Sequence, residues 1–166
     1  MNISRTTVHA AIAALIVAFT AHAETVTGKV IGVADGDTVT VLTEGPRQVK
    51  VRIAGIDAPE KGQAFGQAAK KVMSDCAFGQ VASVDWKKLD RYGRAIGKLT
   101  VDSIDCGLRQ IELGLAWHYK AYEREQTPAD RSAYAEAENA ARLASTGLWI
   151  DARPTPPWEF RRIAEK

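Results

Sequence analysis

Five short runs of alternating apolar and polar residues, separated by turn formers, crowd into residues 25–101 and constrain what this 166-residue chain can fold into. They fall at residues 25–33, 38–42, 48–56, 81–89 and 95–101, and each is rich in β-branched side chains. In the third, Val49, Val51 and Ile53 share one face while Lys50 and Arg52 share the other. Glu44-Gly45-Pro46 supplies the turn between the second and third runs, and Asp90-Arg91-Tyr92-Gly93 the turn between the fourth and fifth. Five strands in one small domain point to a barrel, which closes the sheet on itself and removes exposed edges.

Three helices interleave with or follow the strands, giving an α+β chain. Ala68, Ala69, Val72, Met73 and Cys76 recur at helical spacing, as do Leu108, Ile111 and Leu115. The third helix is the best signalled. Thr127 is its N-cap, Pro128 its first residue, and Asp130 completes a capping box; Tyr134, Ala137, Ala141 and Ala144 form the apolar stripe and Gly147 the stop. These stripes read as core. Beyond them Pro154, Pro156, Pro157, Trp158, Arg161 and Arg162 read as an extended tail, with Trp158 placed to staple it to the body.

Residues 1–23 have the form of a secretory leader: Arg5 gives a positive start, residues 10–19 are apolar, and Ala21-His22-Ala23 is a small-residue cleavage site. The apolar run is shorter than the roughly 20 residues of a membrane span, although a retained anchor is the alternative. Cleavage after Ala23 predicts an exported protein, periplasmic or secreted, with no stable membrane association and no sequence feature demanding more than a monomer. The formal net charge of +2 includes Arg5, so the remainder is nearly neutral, and a polyanion would have to meet a local cluster of charge.

Composition removes several chemistries. Of three histidines only His118 lies beyond the leader, so a zinc site built on histidines is excluded, and His118 reads as a packed residue. Two separated cysteines, Cys76 and Cys106, rule out a Cys/His structural cluster. In an oxidising compartment they are candidates for one disulfide, with two buried thiols as the other reading.

The chemistry-bearing residues gather in three clusters at strand ends: Asp35-Gly36-Asp37-Thr38, the run from Arg52 to Glu60, and Asp90-Arg91-Tyr92-Gly93-Arg94. Each alone reads as a turn or loop. Together they form a coherent set. Asp37 and Asp57 offer hard oxygens suited to calcium or magnesium, and Arg52 and Arg94 can each fork onto a phosphate oxygen. Glu60 can orient or deprotonate a water. Metal, arginines and base make a phosphoryl-transfer site.

In these residues the chain resembles the thermonuclease family, the staphylococcal-nuclease-like proteins. The resemblance rests on DGDT after the first strand, R-x-x-x-I-D-A-P-E from Arg52 to Glu60, D-x-Y-G-R from Asp90 to Arg94, G-L-A-W at Gly114–Trp117 and G-L-W at Gly147–Trp149. It implies a five-stranded OB-fold β-barrel with three α-helices, a nuclease domain over residues 24–150 and a Pro- and Arg-containing C-terminal tail over residues 151–166. It further implies a calcium ion held by Asp37, Asp57 and the carbonyl of Ala58, with Arg52 and Arg94 on the scissile phosphate and Glu60 as general base. The reaction implied breaks the P–O5′ bond of DNA and RNA and leaves 3′-phosphates. The chain departs from the best-known members at Ala58, where they carry threonine; the carbonyl survives that change and the hydroxyl does not. Arg91 and Tyr92, flanking Arg94, and Tyr122 are expected to touch substrate, and Lys87, Lys88 and Lys98 to extend a basic groove. The competing reading is a non-catalytic OB-type nucleic-acid-binding module.

Overall fold

The computed structural model describes residues 24–164, so the expected leader, residues 1–23, lies outside the described residues. The alternating runs form a curled sheet. β1 (Glu24–Val33), β2 (Thr38–Thr43) and β3 (Gln48–Ile53) make an antiparallel meander. β4 (Ile56–Asp57) and α1 (Gly66–Ala77) follow, and then β5 (Val81–Leu89) and β6 (Ala95–Val101) form a hairpin whose first strand pairs with β1. Parallel pairing of β3 with β6, Val51 opposite Ala95 and Ile53 opposite Gly97, closes the five long strands into the expected barrel. Register shifts between Val30 and Gly32 and between Trp86 and Lys88 add the bend that closure needs. Val30, Val39, Val41, Val51, Ile53, Val84 and Leu99 fill the interior.

The rest of the chain covers the barrel. β7 (Ile104–Asp105) leads directly into α2 (Cys106–Glu112), and β8 (Trp117–His118) pairs with β4. A 3₁₀ segment over Lys120–Glu125 precedes α3 (Pro128–Leu143), and another over Gly147–Ile150 precedes α4 (Pro157–Ala164). Cys76 and Cys106 are bonded with their Cα atoms 6.0 Å apart, which ties the end of α1 to the start of α2. Of the two readings left open for these cysteines, the bridge is the one observed.

Three expectations about element limits need correcting. The third strand ends at Ile53, not Ile56, because Gly55 takes a φ of +75° and turns the chain out of the barrel wall. Ile56 and Asp57 then pair with His118 and Trp117. α3 stops at Leu143 rather than at Gly147, because Ser145 already takes a positive φ and the amide of Thr146 bonds back to Ala141. The tail is also not wholly extended. After Pro156 it forms α4, a fourth helix, with Trp158 set edge-on to Trp117 at 6.2 Å and beside Tyr119 at 5.6 Å.

Candidate active site

The site is built where β2, β3 and β4 meet. The Asp35-Gly36-Asp37 loop enters β2 through a tight turn in which the Asp35 carboxylate accepts the Asp37 amide at 3.1 Å. Gly36 permits that turn: a Cβ there would lie 2.7 Å from the Cβ atoms of both Ala58 and Ala69. The loop is pinned from below by Gln110 of α2, fully buried, whose amide donates to the carbonyls of Gly36 (2.9 Å) and Ala69 (2.7 Å). Asp37 is thereby fixed against both neighbouring strands. Its carbonyl accepts the Ile53 amide at 2.8 Å, and its Oδ2 accepts the Ala58 amide at 2.8 Å.

Arg52 binds the two carboxylates together. Its Nη1 donates to the carbonyls of Ile53 and Ile56, and its Nη2 lies 2.8 Å from Asp57 Oδ1 and 3.2 Å from Asp37 Oδ2. Asp57 is 1% exposed and Asp37 6%, so two carboxylates share one guanidinium in a nearly dry setting. Burial pushes the Asp37 carboxyl up to about 7; Arg52 opposes this, Asp35 adds to it, the Ala58 amide opposes it, and Asp57 adds to it.

Two buried carboxylates from adjoining segments bring hard oxygens together, the donor type that suits a divalent cation. Among the described residues no three His, Cys, Asp or Glu side chains gather as a ready-made metal cage. A cation here would therefore rest on Asp37, Asp57, a carbonyl and water. That donor set is compatible with calcium or magnesium.

Glu60 stands at the rim, its side chain 36% exposed and its amide held by Gln63 Oε1 at 3.1 Å. Arg94 is placed differently from Arg52. Its Nε pairs with Asp90 Oδ2 at 2.7 Å, and no described residue bonds its two terminal nitrogens. Burial works against the charge on Asp90, but hydrogen bonds from the Arg94 amide and side chain hold the carboxyl below its ordinary value. Arg52 pairs with Ile96 on the neighbouring strand, two residues beyond Arg94, so Arg94 enters β6 beside the stretch of β3 that carries Arg52. Tyr92, 68% exposed, lies under the guanidinium groups of Arg91 (5.0 Å) and Arg94 (5.5 Å).

The remaining expected contacts separate. Tyr122 is exposed and packs against Tyr119 and under Lys88, whose ammonium is paired with Glu125 at 2.5 Å. Lys98 is removed from any basic groove, because Asp130 (2.5 Å) and Asp105 (3.3 Å) hold it in a structural pair between β6 and α3. His118 is buried and bonded through Nε2 to Gln126 at 2.8 Å.

Two residues of the site were not anticipated. Gln110 carries no sequence signal, since a glutamine within an apolar stripe reads as a surface position. Arg161 did carry one: Pro157 opens a helix, Glu159 sits in its first turn, and Trp158 and Arg161 stand three apart on one face. Arg161 reaches the carboxylates directly, with Nη2 at 2.9 Å from Asp57 Oδ2 and Nη1 at 2.7 Å from Glu60 Oε1.

Comparison with known proteins supports the same chemistry. Residues 50–151 match the family described as staphylococcal nuclease homologue. An uncharacterized endonuclease of Haemophilus influenzae is 38% identical over 136 residues, 82% of this chain and 73% of the relative. A micrococcal nuclease of Shigella flexneri is 36% identical over 165 residues, 94% of this chain and 91% of the relative. Protein ParB of Escherichia coli is 36% identical over 92% of this chain and 88% of its own length.

Proposed function

The chain belongs to the staphylococcal nuclease family and is a phosphodiester hydrolase, and from that premise we propose that it is a calcium-dependent nuclease of DNA and RNA whose products end in 3′-phosphates. One observation carries the reading: Asp37 and Asp57, both buried, converge on Arg52 beside Glu60. Buried carboxylates are costly unless cations join them, and Arg52 with Arg161 leave the three carboxylates of Asp37, Asp57 and Glu60 one positive charge short.

Asp37, Asp57 and the Ala58 carbonyl would hold the calcium ion. When bound it supplies positive charge beside the phosphate oxygens, where negative charge builds during displacement. The protein's own groups do the rest. Arg52, held by two backbone carbonyls, presents a fixed cation to the phosphate and needs no reorganisation during reaction. Arg94, tethered only through Nε, keeps both terminal nitrogens available for a bidentate contact. Glu60, at the rim, takes the proton of the attacking water as the bond to the 5′ oxygen breaks. Tyr92 and Arg91 extend the contact along the strand by stacking and charge.

Export belongs to the same proposal. The leader form of residues 1–23 and the Cys76–Cys106 bridge both support an oxidising destination, periplasmic or extracellular, and the protein acts there as a monomer.

End-labelled denatured DNA and RNA test the reading. With calcium the purified protein is expected to cut both and leave ends that phosphatase treatment converts to 3′-hydroxyls; products bearing 5′-phosphates would overturn the assignment. Glu60→Ala is expected to lose roughly 10²–10⁴-fold in rate, and Arg94→Ala roughly 10²–10³-fold. Full activity in either variant would remove that residue from the mechanism.

A further inference from the structure

The tail brings a third arginine into the site, and its position concerns the cation rather than the phosphate. Arg161 forks onto Asp57, with Nη2 at 2.9 Å from Oδ2 and Nη1 at 3.3 Å from Oδ1, while Nη1 also lies 2.7 Å from Glu60 Oε1. With Arg52 on Oδ1 at 2.8 Å, both oxygens of Asp57 are committed to guanidinium groups. The two arginines are held very differently. Arg52 is 17% exposed and bonded to two backbone carbonyls inside the fold. Arg161 is 42% exposed, and the hydrogen bonds of its guanidinium end on the two carboxylates.

The helix that carries Arg161 is docked by other means. Pro157 is buried, Trp158 packs on Trp117 and Tyr119, and the Gln63 side-chain amide donates to the Thr155 carbonyl at 2.5 Å. Delivery of the guanidinium to Asp57 therefore does not depend on the ion pair itself. Asp57 and Glu60 raise the proton affinity of Arg161 chiefly through the hydrogen bond to Asp57, with burial opposing, so it stays charged throughout.

We propose that Arg161 is a built-in competitor for the divalent cation: it occupies Asp57 and Glu60 in the metal-free enzyme and must leave Asp57 for the cation to bind. Arg52 uses Oδ1 and leaves Oδ2 open, whereas Arg161 takes Oδ2. Arg161 and the cation therefore compete for the one Asp57 oxygen that Arg52 does not use, and their mutual repulsion favours one occupant at a time. Departure from Asp57 also loosens the hold on Glu60, so the carboxylate assigned as base is freed by the same event that loads the site. The tail thus sets a threshold of cation concentration below which the site is closed by its own side chain. This inference rests on the calcium reading above.

Calorimetric titration of Ca²⁺ into wild type, Arg161→Ala, Arg161→Gln and Arg162→Ala, each checked for folding by thermal melting, tests it. Loss of a charged hydrogen-bonding competitor predicts binding tighter by roughly tenfold or more in both Arg161 variants. Arg162, which makes no contact with these carboxylates, serves as the control for net charge and should change affinity less than about twofold. Binding by the Arg161 variants with none by wild type would support the competition in its strongest form. Unchanged or weaker binding in the Arg161 variants, or equal tightening in Arg162→Ala, would overturn the competition and leave the calcium reading standing. No binding by any of the four proteins would overturn the calcium reading itself.

Discussion

Gln110 shows how far the site depends on a residue that touches no substrate. Its amide caps the Gly36 and Ala69 carbonyls, and through Gly36 it sets the height of Asp37. Replacing it with leucine keeps the volume but strands the buried Gly36 carbonyl at a cost on the order of 1–3 kcal/mol, whereas the Ala69 carbonyl keeps its helical partner within α1. Gln110→Leu is therefore expected to lower stability by about 2 kcal/mol in denaturant unfolding and to weaken Ca²⁺ binding; a loss of stability with metal affinity intact would show that the loop is held by other contacts. The charged residues themselves were legible in the sequence, because Asp37, Arg52, Asp57, Glu60 and Arg94 fall at strand ends where side chains converge. Gln110 was not, because its partner Gly36 lies 74 residues away; Arg161 carried a helix signal, but its partner Asp57 lies 104 residues away and only the folded chain brings them together.

At the scale of elements, the seam between β6 and α3 is closed by charge. Lys98 joins Asp130 and Asp105, while Asp105 also accepts the Tyr134 hydroxyl at 2.9 Å and caps α2 through the amides of Gly107 and Leu108. Burial opposes the charges, but the mutual hydrogen bond raises the Lys98 amine and lowers the Asp130 carboxyl relative to their ordinary values. The lowered carboxyl gives stability present above its unfolded value near 3.8 and lost as pH falls further; the raised amine gives stability present below 10.5 and lost at higher pH. Lys98→Met should accordingly cost up to about 1 kcal/mol at neutral pH, with the gap to wild type closing in strong acid and in strong alkali. A gap independent of pH would assign the loss to packing. The same pair explains why Lys98 misleads in the sequence, where a lysine alternating out of a strand is indistinguishable from a groove contact. α4 was only faintly signalled, because eight residues form no stable helix alone and it exists because Trp158 and Pro157 find the body.

For the molecule as a whole, barrel closure by β3 and β6 holds the two arginine-bearing segments beside one another, while the disulfide ties α1 to α2. The bridge closes a loop of 30 residues, for which chain-entropy arguments give about 3.6 kcal/mol. Reduction, or Cys76→Ser with Cys106→Ser, should lower the unfolding free energy by that order, and an unchanged midpoint in denaturant would show that the helices are held by packing alone. The central claim is that Asp37 and Asp57 make this fold a cation-dependent phosphodiester hydrolase. Its most direct test is the initial rate of cleavage of denatured DNA against Ca²⁺ concentration for wild type, Asp37→Ala and Asp57→Ala, with excess chelator as the zero. The account predicts saturable calcium dependence in wild type, no cleavage in chelator, and a rate lost in both variants at concentrations that saturate wild type; undiminished cleavage in chelator, or wild-type rates in either variant, would contradict it.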